Sequence, residues 1–172
     1  INESLFCALE PSSSPILVTY SDIIFEKKII QQMLETTDGI GLAVNLNWKK
    51  GYQNRNMHHL SEAENVLVDN ERILQIRKNI SKSLVNQQIG EFLGIMMLPS
   101  EYIKILLERY SYLKKNLVGP FHDAPSLKKA YLTDMLQELI DLDFDVKPIL
   151  CKGVWCEMDT TEDLETARKK FN

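Results

Sequence analysis

The sequence predicts an α/β domain whose mainly parallel sheet carries an inserted antiparallel hairpin. Three features point there. Residues 16–20 form an apolar run unbroken by polar side chains, as in a strand covered on both faces of a sheet. A strand, a helix and a second strand follow one another with short connections up to Leu46, the pattern of a βαβ unit. Leu132, Met135, Leu136, Leu139 and Ile140 recur at helical spacing, so they form the apolar stripe of a helix lying on the sheet.

The elements are read in chain order. Residues 2–10 end a helix, with Leu5, Ala8 and Leu9 on one side, and Pro11 and Pro15 break it. The first strand, residues 16–20, closes at Ser21 and Asp22. A helix follows, in which Ile29, Ile30, Met33 and Leu34 share a face. Gly39 and Gly41 lead into a second strand at 42–46. Residues 48–60 are polar, aromatic and irregular, which suits a long loop. Asp69, Asn70, Glu71 and Arg72 separate two short apolar runs, and Asp and Asn tolerate the positive φ of a hairpin turn. A strand is expected at 92–98, then a helix after Pro99 that buries Ile103, Leu106, Leu107 and Tyr110. Gly119 and Pro120 break the chain before a long helix at 126–141. Strands at 146–151 and 155–158 precede a last helix at 161–171.

Composition narrows the function. The 172 residues are 44% hydrophobic and 26% charged, as in an ordinary single domain. Lys and Arg number 20 against 24 Asp and Glu, a net charge of -4, which argues against a nucleic-acid partner. No apolar run reaches the roughly 20 residues of a membrane span. Cys7, Cys151 and Cys156 cannot all pair and lack zinc-site spacing, so a reducing, cytoplasmic setting is expected.

Ligands of open α/β sheets bind beyond the carboxyl ends of strands. Asp22 follows the first apolar strand, and Glu157 and Asp159 follow the last. Residues two apart in an extended segment point the same way. If the strand order brings Asp22 beside that pair, three hard oxygen ligands converge in a set suited to Mg²⁺. From spacing alone the structural reading is the favoured one. Asp22 fits a turn, and Asp159 with Glu162 three residues on fits a helix N-cap.

Five blocks in order tie the two ends together: Val18-Thr19-Tyr20-Ser21-Asp22-Ile23-Ile24-Phe25, Ser61-Glu62-Ala63-Glu64, Gly90-Glu91-Phe92-Leu93-Gly94, Ala130-Tyr131-Leu132-Thr133-Asp134 and Trp155-Cys156-Glu157-Met158-Asp159-Thr160. Across nearly the whole chain the sequence resembles the nucleotidyltransferases of the sugar-phosphate and phosphocholine cytidylyltransferase group. The resemblance implies a Rossmann-like sheet of the nucleotide-diphospho-sugar transferase type. It also implies a reaction that joins a nucleoside triphosphate to a small phosphorylated acceptor and releases pyrophosphate. Asp22, Glu157 and Asp159 match the family's Mg²⁺ ligands. Lys78, which ends the hairpin strand, matches a phosphate-contacting lysine and is the expected catalytic cation; a solvated strand-end lysine is the competing reading, and Lys152 is a weaker alternative.

For the acceptor, Asp134 matches a residue facing the pocket. Tyr131, Asp134 and Glu138 form a stripe on the long helix. Trp48, Tyr52, Tyr131 and Trp155 are expected to offer faces to a cationic head group such as choline or an aminoethyl ammonium. For the two tryptophans, packing is the competing role. Glu91 is a candidate for a ribose or sugar hydroxyl. His58, His59 and His122 read as loop histidines.

The family's glycine-rich triphosphate loop has no counterpart: no glycine precedes Gly39 and the chain opens on Ile1. The chain is therefore expected to be the C-terminal two-thirds of a catalytic domain that lacks its first strand and signature loop. Weak triphosphate binding and a sheet edge open to homodimerisation would follow. A hexose-1-phosphate nucleotidyltransferase and a non-catalytic α/β interaction domain are the alternatives.

Overall fold

The computed structural model describes residues 2–9, 12–35, 38–53, 55–81 and 83–171. Helix α1 (Asn2–Ala8) is followed by β1 (Ile16–Thr19), β2 (Ile23–Phe25), α2 (Lys27–Leu34) and β3 (Ile40–Asn45). The hairpin β4 (Glu64–Asp69) and β5 (Arg72–Lys78) precedes the long β6 (Gln87–Leu98) and α3 (Ser100–Asn116). Helix α4 (Leu132–Asp141), β7 (Val146–Leu150), β8 (Trp155–Glu157) and α5 (Thr161–Lys170) complete the order. Glu10 and Pro11, at the expected first break, lie outside the described residues. Among the described residues no helix is long and apolar enough to cross a membrane.

The main sheet runs β5-β4-β6-β3-β7, with β1 paired to β6 beyond the end of β4. Strands β1, β3, β4 and β7 point one way; β5 and β6 oppose them. Because β6 sits centrally, β3–β7 is the parallel ladder and the other ladders are antiparallel. Strand β6 lies between β1 and β3, so the βαβ unit straddles it.

Alternation along the central strands separates two apolar layers. Ile40, Leu42 and Val44 of β3, with Phe92, Met96 and Leu98 of β6, pack toward α3 and α4. Ala43, Leu93, Ile95 and Met97 meet Ile29 and Met33 of α2 on the other face. The hairpin forms as read, with Asn70 at φ 52° in its turn.

Four expectations change. Residues 16–20 were expected to be buried on both faces, but β1 is half-buried at Ile16, Leu17 and Val18 and exposed at Thr19, because it pairs on one side with β6. Between Asp22 and α2 lies β2, a strand of 3 residues, too short to show periodicity. The helix expected at 126–141 is two pieces: a 3-10 turn (Leu127–Lys129), then α4. Tyr131 is extended, at φ -89° and ψ 168°, and its N–H is taken by the Asp134 carboxylate at 2.7 Å. That arrangement starts a new helix rather than continuing one. Finally, Thr160 and not Asp159 caps α5, exchanging hydrogen bonds with Asp163.

Gly94 interrupts β6 at φ +68°, and a Cβ there would come within 2.5 Å of the Tyr20 ring and 2.7 Å of Ile23. The Gly94 carbonyl accepts from Tyr20 N–H at 2.9 Å. Gly94→Ala is expected to destabilise the fold by about 2–4 kcal/mol, from left-handed strain plus overpacking. Urea unfolding monitored by circular dichroism measures this, and an unchanged midpoint would show that the bend tolerates a side chain.

Candidate functional site

The site begins with backbone. Strand β2 pairs antiparallel with β8, Ile23 opposite Glu157 and Phe25 opposite Trp155. Met158 N–H donates to the Asp22 carbonyl at 2.8 Å. Two segments from opposite ends of the sequence are thereby locked side by side, and Asp22, Glu157 and Asp159 all line one cavity of about 560 Å³. Oδ1 of Asp22 is buried with no hydrogen-bond partner among the described residues. The capping role goes to Thr160 and Asp163, which leaves the Asp159 carboxylate facing the cavity.

The loop before β4 closes over these acids. Arg55 donates from Nε to Asp163 at 2.7 Å and lies 3.7 Å from Glu157. Asn56 N–H and Met57 N–H both donate to the Glu162 carboxylate. So anchored to the start of α5, the loop brings His58 Nδ1 to 3.0 Å from Asp159 and Nε2 to 3.9 Å from Glu157. Read as a loop histidine, His58 instead stands against the acidic pair. Its sequence neighbours carried no signal, since its partners lie a hundred residues away.

Electrostatics mark the same place. Burial pushes Glu157 up to about 7, and the nearby Asp159 and Asp22 charges add to this while Arg55 opposes it. Burial also pushes Glu91 up to about 7; a hydrogen bond from Tyr52 opposes the rise, and Glu157 adds to it. Glu91 is 4% exposed, and its Oε2 has no partner among the described residues. Glu64 is likewise raised by burial, and accepts from the Tyr20 hydroxyl at 3.0 Å. Perturbed acids gathered in one cleft are the physical signature of a functional site.

The remaining expected residues divide. Tyr131, Trp155, Tyr52, Glu91 and Lys78 line the cavity. Lys78 pairs with Glu62 at 2.7 Å and lies 5.8 Å from the centre of the Tyr131 ring. Trp48 does not line it: the residue is 5% exposed and its indole N–H donates to the Ile89 carbonyl at 3.1 Å. It is a packing residue, as an amphipathic ring with a satisfied N–H commonly is. Asp134 is also absent from this cavity. It borders an adjoining one of about 570 Å³, and its two oxygens accept from Tyr131 N–H and Asp123 N–H. Glu138 is held by Arg109 and His122. Lys152 is exposed and outside the cavity wall.

The comparisons give the architecture a context. No family model matches the sequence. The CTP:phosphoglutamine cytidylyltransferase of Campylobacter jejuni is 21% identical over 173 residues, covering 97% of this chain and 66% of that protein. The inositol-1-phosphate CTP transferase from T. maritima superposes with a TM-score of 0.63 at 19% identity, over 94% of this chain and 56% of that one. The chain has the nucleotidyltransferase fold. A Bacillus anthracis protein described as a glucose-1-phosphate thymidylyltransferase matches with a TM-score of 0.61 at 15% identity, over 98% of this chain and 59% of its own. The chain therefore spans less than two thirds of the length of each of these nucleotidyltransferase relatives.

The raised Glu91 carboxyl has a consequence for stability. A folded pKa near 7 against an ordinary 4.5 means that folding favours the protonated form. Its contribution is full below about pH 4.5 and is lost as pH rises through 7. Glu91→Gln mimics the neutral acid and still accepts from Tyr52. It is expected to be more stable than the parent at pH 8 by about 2 kcal/mol, with the two converging below pH 4.5. Urea midpoints across pH 4.5–8.5 check this; parallel curves would show that Glu91 ionises freely.

Proposed function

We propose that the chain forms the acceptor and metal side of a Mg²⁺-dependent nucleotidyltransferase. The reaction passes a nucleotidyl group from CTP to a small phosphorylated or phosphonate acceptor, such as phosphocholine or 2-aminoethylphosphonate, and releases pyrophosphate. The convergence of Asp22, Glu157 and Asp159 on one cavity, with a buried Asp22 oxygen left without a partner among the described residues, is the observation that carries this reading. The fold shared with two nucleotidyltransferases and the cytidylyltransferase relative support it.

The donor set fits the ion. Three carboxylates from two rigid segments are hard oxygen ligands, and Mg²⁺ binds through a few of these together with phosphate oxygens and water. When bound, Mg²⁺ neutralises phosphate oxygens and orients the reacting phosphate. The chain's own groups do the rest. The locked β2–β8 pair fixes where the carboxylates stand, which sets the approach of two anionic substrates. Lys78, a compact cation whose charge is favoured by Glu62 against the effect of burial, can move from that pair to charge developing on a phosphate. The acceptor's phosphate is already ionised near neutral pH, so no general base is required of the site. Tyr52, Tyr131, Trp155 and Glu91 line the same cavity, which favours an acceptor bearing an ammonium group.

Two outcomes are expected with the full-length protein, CTP and a panel of phosphorylated acceptors. Asp22→Asn and Asp159→Asn each abolish pyrophosphate release without loss of folded structure, and normal turnover in both would overturn the metal assignment. Lys78→Met lowers kcat/KM by about 10²–10³-fold, the loss typical of one charge-stabilising donor. Absence of turnover with every triphosphate and acceptor would favour a binding domain instead.

A further inference from the structure

His58 stands inside the cavity, yet the three-carboxylate reading gives it no task. One donor atom each from His58, Glu157 and Asp159 lies within 4.8 Å of the others. Two ligands on adjacent positions of one ion with bonds of about 2.1 Å sit about 3 Å apart, and opposite ligands about 4.2 Å apart. The 3.0 Å from His58 Nδ1 to Asp159 Oδ2 fits the first case. Asp22 lies outside that group of three and lines the same cavity. The position of His58 is not left to chance: Arg55 and the backbone of Asn56 and Met57 bind Asp163 and Glu162 just before it. Asp22 Oδ1 and the buried Glu91 Oε2, neither with a partner among the described residues, belong to the same cavity.

We propose that His58 is a nitrogen ligand of the cation site, completing a set with Asp22, Glu157 and Asp159. It follows that the site ranks Mn²⁺ and Co²⁺ above Mg²⁺. This rests on the metal reading above and goes beyond it by adding a ligand and a metal preference. The chemistry is that of the donor atom. Mg²⁺ prefers an all-oxygen shell, whereas imidazole is a good ligand for the later first-row ions, whose affinity rises from Mn²⁺ to Co²⁺. The alternative is a histidine that only orients Asp159 from outside the coordination sphere. The two differ in whether nitrogen is bonded to the ion.

The test uses the full-length protein with Mn²⁺, Co²⁺ or Mg²⁺ alone. Electron spin-echo modulation of bound Mn²⁺ is expected to show a directly coordinated ¹⁴N that is lost in His58→Ala and retained in His59→Ala. Calorimetric titration is expected to show the Co²⁺-to-Mg²⁺ affinity ratio falling about tenfold or more in His58→Ala. Bound Mn²⁺ without nitrogen coupling in the parent protein overturns the proposal even if the variant misfolds, and so does an unchanged affinity ratio in a folded variant. If cations bind and Asp22→Asn weakens them, those results remove His58 alone. If none of the three ions binds, the metal reading itself falls and the inference with it.

Discussion

The site depends on one short antiparallel pairing. Three residues of β2 meet three of β8, and the Met158 N–H to Asp22 carbonyl bond extends the contact. Neither strand is long enough to be stable alone; such ribbons need packing to persist. Phe25 and Trp155 provide it, lying against the apolar layer formed by Ile29, Met33, Leu93 and Ile95. Burial of apolar surface thus offsets the cost of holding Asp22, Glu157 and Asp159 together. Burial raises the proton affinity of Glu157, and the neighbouring Asp159 and Asp22 charges add to it. The β2–β8 pairing and the Met158 N–H to Asp22 carbonyl bond hold the backbone that carries these carboxylates.

The loop between β3 and β4 works as a strap over this arrangement. Asp163 serves two structures at once, capping α5 through Thr160 and binding Arg55. The cap orients the carboxylate, and the carboxylate orients the loop. Arg55 in turn offers positive charge to Glu157, moderating a site that would otherwise hold uncompensated acids. Trp48 belongs to this support rather than to the cavity: its buried ring anchors the beginning of the loop against β6.

On the other wall, two aromatic hydroxyls bridge the sheet to buried acids. Tyr20 reaches Glu64 of β4, and Tyr52 reaches Glu91 of β6. Both hydroxyls are pushed up by burial and by the carboxylates they face, so they remain donors throughout the ordinary pH range. The bend at Gly94 makes room for the Tyr20 ring. The conformation of one glycine, the position of one ring and the orientation of one acid are therefore parts of a single packing solution.

The sequence by itself determined the periodic elements and the paired acids. The apolar stripe of α4, the turn at Asn70, the run that became β6 and the two-residue spacing of Glu157 and Asp159 are all local patterns. They depend on propensity and alternation, which neighbouring residues encode. Tertiary structure decided the rest. Nothing near Asp22 records that β2 pairs with β8, because three residues carry no period. The resemblance set Asp134 facing the acceptor, and spacing offered Asp159 as a helix cap. Only the backbone course showed that Asp134 accepts from two N–H groups at the start of α4 and that Thr160 with Asp163 caps α5. His58 and Arg55 lacked any local signal, since their partners are supplied by the other end of the chain. A cavity is made of contacts between distant segments, and such contacts follow from packing rather than from the order of residues along the chain.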